Sequence, residues 1–94
     1  MTLRYTKRAL ADLNRILSYV SQRSPQGASR LADHIGAAVH QIAEHPQSGR
    51  TTSRPNVRVK VVSDYPYLIF YRIVGQAMVS IVHIRHAARR PFAR

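Results

Sequence analysis

The sequence contains no cysteine. No disulfide and no thiolate-bound metal can support the fold, and the absence fits a cytosolic protein. Carboxylates are scarce too: four Asp and Glu stand against fifteen Lys and Arg, a formal net charge of +11. No run of about 18 apolar residues exists, so no membrane span is expected. The opening Met1-Thr2-Leu3-Arg4-Tyr5-Thr6-Lys7-Arg8 has no apolar stretch of the kind a secretory signal needs. There is no Gly-rich phosphate loop, nucleophile elbow or Walker motif, and no cofactor is expected. His34, His40 and His45 are spaced six and five residues apart. Such spacings do not stack on one helical face and no acid completes a set, so no metal site is expected.

What the chain does hold is arginine. Thirteen of its fifteen cations are arginine. The guanidinium is a planar fork that grips carboxylates and phosphates at two points. The expected partner is therefore acidic: nucleic acid, an acidic protein, or both. The blander alternative is a surface merely solubilised by charge. The length of 94 residues fits one domain, residues 1–94. A chain of this size buries only about 60–65% of its unfolded surface, so every element must contribute to the core.

The pattern of apolar residues divides the chain. Leu3 and Tyr5 alternate with Arg4 and Thr6, a short strand over 2–6. Leu10, Leu13, Ile16, Leu17 and Val20 recur at helical spacing, predicting a helix over 7–22 with Thr6 as its N-cap. Ser24-Pro25 marks a second start, and Ala28, Leu31, Ala32, Ile35, Val39, Ile42 and Ala43 form the stripe of a helix over 25–45. Residues 46–56, with Pro46, Gly49 and Pro55, read as a loop. Val57, Val59 and Val61 alternate with Arg58 and Lys60. Tyr67 to Ile73 is nearly all apolar and should be a central strand, covered on both faces. Gly75-Gln76 reads as a two-residue turn before a last strand, Met78 to Ile84. Residues 85–94 are expected to form a basic tail, partly mobile. The order β-α-α-β-β-β implies an α+β domain, a helical hairpin on a mostly antiparallel four-stranded sheet. The second face of that sheet is expected to be only partly covered.

Several segments resemble the ParE/RelE superfamily of toxins from type II toxin–antitoxin systems, over about residues 3–91. Arg4-Tyr5-Thr6-Lys7-Arg8-Ala9-Leu10-Ala11-Asp12-Leu13 is similar to the family's first strand and helix. Glu44-His45-Pro46-Gln47-Ser48-Gly49-Arg50 resembles the loop after its second helix. Val57-Arg58-Val59-Lys60-Val61-Val62, Tyr67 to Ile73, and Val82-His83-Ile84-Arg85-His86-Ala87-Ala88-Arg89-Arg90-Pro91 resemble its remaining strands and basic ending. No one motif is specific; their joint order is. The resemblance implies a small acidic antitoxin as partner, a toxin–antitoxin hetero-oligomer, and a cytoplasmic location. It also implies one of two targets. ParE-like members poison DNA gyrase and have no known nuclease chemistry. RelE-like members cut messenger RNA in the ribosome.

RNA cleavage needs an activated 2′-hydroxyl, an acid for the leaving oxygen and cations on the phosphate. His86 matches the terminal histidine of nuclease members resembling YoeB and is the catalytic candidate, with Arg58, Arg72 and Arg89 on the phosphate. Three departures argue against cleavage. The central-strand arginine of nuclease members is Leu68 here. Their C-terminal tyrosine or second histidine is missing, since Phe92 has no hydroxyl. Glu44, the only glutamate, sits at a helix end. The ParE-like reading therefore leads, with RelE-like cleavage as the alternative and a non-toxic basic binding module as a third. Whether the chain is an enzyme depends on that choice. Arg58, Lys60, Arg72, Arg85, Arg89 and Arg90 are the candidates for holding the target or a phosphate. Arg58, Lys60, Arg72 and the candidate acid His86 have plainer readings. Arg72 can pair with Asp64 or a backbone carbonyl, Arg58 and Lys60 can form a solvent face, and His86 can close the last strand. His83, in register with Val79 and Ile81, reads as a partly buried strand residue. Leu10, Leu17 and Tyr19 are candidate antitoxin contacts, although Leu10 and Leu17 read more simply as core.

Overall fold

The computed structural model describes residues 2–88. The elements are β1 (Thr2–Tyr5), α1 (Lys7–Arg23), α2 (Pro25–Glu44), a 3-10 turn (Pro46–Ser48), β2 (Arg50–Thr51), β3 (Val57–Val61), β4 (Tyr67–Val74) and β5 (Met78–His86). Both helices begin where side-chain caps allow. The Thr6 Oγ1 accepts from the Ala9 N–H at 3.1 Å. Ser24 ends α1 by donating its N–H to the Val20 carbonyl and starts α2 by accepting from the Gly27 N–H at 2.9 Å. One serine thus makes the whole joint of the hairpin, because Pro25 needs no partner at the first helical position.

The sheet runs β1-β5-β4-β3-β2. Its pairs are antiparallel except β1–β5, which are parallel because the two helices carry the chain across. The four expected strands are joined by a fifth, the two-residue β2 at one edge, inside the stretch read as a loop. Two residues are too few to show an alternating pattern. The β4–β5 connection has three residues rather than two, since Val74 pairs with Met78 across Gly75-Gln76-Ala77. Gly75 opens it at φ +61, a conformation that costs glycine little. β5 runs on to His86, so Arg85 and His86 are strand residues rather than tail. Arg89, Arg90 and the remainder of the expected tail lie outside the described residues.

The main core lies between helices and sheet. It joins Ala9, Leu31, Ile35, Val39 and Ile42 to Ile69, Tyr71, Val79, Ile81 and Ile84. The alternate residues of β3 and β4 face the other way, and Val57, Val59 and Phe70 form a smaller cluster there with Leu68 and Val82. Consecutive Ile69, Phe70 and Tyr71 are all buried, as a strand covered on two faces requires.

Candidate functional site

Among the described residues, the expected phosphate-binding side chains Arg58, Lys60, Arg72 and Arg85 do not converge. Arg58 pairs across the sheet with Tyr71 and Lys60 with Ile69, so both stand on the helix side of β3. There they hold the turn after α2. Arg58 donates to the Gly49 carbonyl at 2.8 Å and to the Gln47 side-chain oxygen at 2.8 Å. Lys60 donates to the Ser48 hydroxyl at 3.2 Å. The same turn is fixed from below by Tyr71, whose hydroxyl donates to the Pro46 carbonyl at 2.6 Å and accepts from the Gly49 N–H at 2.9 Å. Arg72 is exposed on the opposite sheet face, opposite Val57 and Ser80. It does not pair with Asp64. Asp64 lies in the turn at the other end of β4, with its carboxylate 3.9 Å from His34.

His86 ends β5 opposite Tyr67, its ring edge-on to that tyrosine at 5.3 Å between centroids. Its Nδ1 accepts from the Ala88 N–H at 3.1 Å, so it does close the strand by a hydrogen bond. Arg85 donates to the His86 carbonyl at 3.0 Å and lies over the Phe70 ring at 5.2 Å.

The most constrained polar group is one that the strand reading of residues 78–84 misplaces. Opposite Phe70 and Tyr71, the partners in β5 are His83 and Ile81, so Val82 is an extra residue and β5 bulges. The bulge removes His83 from the face shared by Val79 and Ile81. Its ring stacks on Phe70 at 5.7 Å, and its Nδ1 lies 2.7 Å from Asp12 Oδ2. The same carboxylate oxygen accepts from the Ile84 N–H at 3.1 Å, and Oδ1 accepts from Arg15 at 2.8 Å. The arrangement follows from topology. β1 pairs with β5 only as far as Ile81, and the chain then turns into α1. Beyond that point α1 takes the place of a neighbouring strand, and Asp12 supplies the acceptor that a strand carbonyl would have supplied. Asp12 is 3% exposed and His83 6%.

Burial by itself would raise the Asp12 pKa. The Ile84 N–H, the Arg15 guanidinium and the His83 imidazole outweigh it and hold the carboxyl below its ordinary range. For His83 burial again acts first, here lowering the pKa. Asp12 opposes it, Arg8 and Arg85 reinforce it, and the result lies below the ordinary histidine value. The pair is thus an ionised carboxylate receiving a hydrogen bond from a neutral imidazole.

Above this pair lies a cleft of about 920 Å³ between α1 and the C-terminal half of β5. Arg8, Arg15 and Tyr19 line the helix wall; Tyr67, Arg85 and His86 line the strand wall. At about 100° per residue, positions 8, 15 and 19 share one flank of α1, while Leu10 and Leu17 share the other. The three candidate antitoxin contacts are therefore not one patch. Leu10 is 47% exposed and not core, whereas Leu17 packs partly against the core. Tyr19 is 57% exposed and carries the Arg23 guanidinium over its ring at 3.9 Å.

A cation-lined cleft beside a two-helix hairpin, on a sheet with one parallel edge strand, defines a basic domain of the two-layer α+β type. Comparison with known proteins narrows this. The family model described as the ParE toxin of the type II toxin–antitoxin system parDE matches residues 3–91. The chain is 44% identical over 85 residues to toxin RelE2 of Caulobacter vibrioides, spanning 90% of this chain and 93% of that one. Among solved structures it resembles the chromosomal ParDE system from P. aeruginosa, with a TM-score of 0.80 at 25% identity, covering 92% of this chain and 95% of that one. The intact E. coli RelBE complex shares the fold, with a TM-score of 0.65 at 15% identity, covering 94% and 98%. The chain belongs to the ParE toxin family, within the ParE/RelE superfamily of type II toxin–antitoxin toxins.

Proposed function

We propose that this toxin acts in the cytoplasm, arrests growth by inhibiting DNA gyrase without cutting RNA, and is neutralised by a small acidic antitoxin. The dispersal of the nuclease candidates among the described residues, Arg58, Arg72 and His86, is the observation that carries the reading. Arg58 is spent on the Pro46–Gly49 turn, Arg72 stands on the opposite sheet face, and His86 is several residues away at the far end of β4. General acid–base cleavage needs its acid, base and phosphate cations within reach of one scissile bond. The family match supports the antitoxin, as does the ParDE toxin–antitoxin system named for the P. aeruginosa relative. Its docking place is the flank of α1 that carries Leu10 and Leu17, where an amphipathic helix can lay an apolar face.

The RelE name of the Caulobacter relative favours a second reading, ribosome-dependent mRNA cleavage. Inducible expression with and without the adjacent gene separates the two. The gyrase reading expects growth arrest with DNA breaks and intact transcripts, reversed by the neighbouring gene. Codon-linked mRNA cuts without DNA damage, relieved by His86→Ala, would replace it with the nuclease reading.

A further inference from the structure

The cleft between α1 and β5 is built for a ligand that the antitoxin and gyrase readings leave unassigned. We infer that it is a binding site for single-stranded nucleic acid, holding phosphates on Arg8 and Arg15 and an unpaired base against Tyr19.

Four observations carry this. First, the cations are in line. Arg8 and Arg15 lie two helical turns apart on one flank of α1, which suits a linear polyanion better than a single phosphate. Second, ring faces accompany them. Tyr19 stands 57% exposed on the same wall with the Arg23 guanidinium over one ring face, and Tyr67 with His86 faces it from the strand wall. Cations interleaved with aromatic rings suit unpaired bases, because every base has a π-face. Third, the walls are held at a fixed separation. Asp12 ties α1 to the β5 bulge through Ile84 and His83, and clamps Arg15 by Nη2 while that side chain stays 60% exposed.

Fourth, the cleft is closed to the main rival, an acidic peptide added as a strand. The outer edge of β5 beyond Ile81 has its Ile84 N–H bonded to Asp12, and its Val82 carbonyl accepts from the Thr6 hydroxyl at 3.4 Å. A peptide laid there finds no main-chain ladder, which is what gives strand addition its affinity. Nucleic acid needs none.

The test is fluorescence anisotropy on the purified full chain with labelled dT8, rU8, an eight-base-pair duplex and an octaglutamate peptide, over a salt series. Binding of dT8 or rU8 should exceed octaglutamate and duplex by about tenfold, and the better of the two identifies DNA or RNA as the source. Tyr19→Ala should weaken it by about fivefold or more, the scale of one base stacked on a ring. The double variant Arg8→Gln/Arg15→Gln should make the log–log salt slope shallower by about 1.4, two phosphate contacts on a single strand. Arg30→Gln/Arg50→Gln, which removes two exposed charges elsewhere, should change the slope by less than half of that. A melting curve of each variant confirms that it folds. The site is refuted if Tyr19→Ala leaves affinity intact, or if both double variants lower the slope equally. Octaglutamate binding as tightly as the oligonucleotides also overturns it, in favour of an acidic peptide. None of these outcomes bears on whether gyrase is the target.

Discussion

Asp12 stands in line with Ala9, Leu13 and Ile16 on the inward stripe of α1, where a charge survives only if it is paired. Asp12→Ala leaves the His83 Nδ1–H and the Ile84 N–H without their acceptor, and should cost about 2–4 kcal/mol in a urea unfolding series. The pair also sets the response to acid. The His83 pKa lies below its ordinary value when folded, so as pH falls through about 6.5 the unfolded chain takes up the proton first and stability begins to drop. Asp12 is held below the ordinary carboxylate range, so its contribution is complete above pH about 4 and is lost below it. Stability should therefore fall in two stages as pH drops below about 7, with His83→Gln removing the upper stage only. The turn after α2 gives a second check. A Cβ at Gly49 would run into the Tyr71 phenol, so Gly49→Ala should cost about 1–3 kcal/mol although its backbone conformation is ordinary. Tyr71→Phe should cost about 1–2 kcal/mol through the unpaired Gly49 N–H and Pro46 carbonyl. Both groups had a trace in the sequence: an acid on an apolar stripe, and a tyrosine inside a buried strand, each demanding a partner. Neither trace names the partner, because the contacts join positions 12 to 83 and 71 to 46 across the fold.

Local chemistry wrote the elements plainly. Thr6 and Ser24-Pro25 marked the helix starts, and the periodicity of α1 and α2 and the apolar run of β4 located the rest to within a residue or two. Non-local pairing hid what remained. Strict alternation along β5 puts His83 with Val79 and Ile81, and only the register against β4 reveals the extra Val82. The same limit explains Arg58 and Lys60. Their shared face was legible, but not the turn that folds over it. The two flanks of α1 are distinct surfaces, and a charge on one should leave the other intact. Leu10→Glu should weaken antitoxin binding by about tenfold in a titration, with a melting temperature within about 2 °C of the parent, because Leu10 is exposed. The oligonucleotide affinity of the cleft should be unaffected by it.

At the scale of the whole molecule, a net charge of +11 on a thin two-layer fold speeds association with an acidic partner. Affinity for an antitoxin should fall steeply as salt rises, mostly through slower association. The charge alone does not choose between gyrase and the ribosome. The scattering of Arg58, Arg72 and His86 over two sheet faces and two ends of β4 weighs against cleavage. The most direct measurement adds the purified toxin to DNA gyrase in a supercoiling assay, and in parallel to translating ribosomes with a reporter message. Gyrase as the target predicts loss of supercoiling with accumulation of cleaved DNA, an uncut message, and restoration of gyrase by the antitoxin. Full gyrase activity alongside a message cut in the ribosome would contradict it.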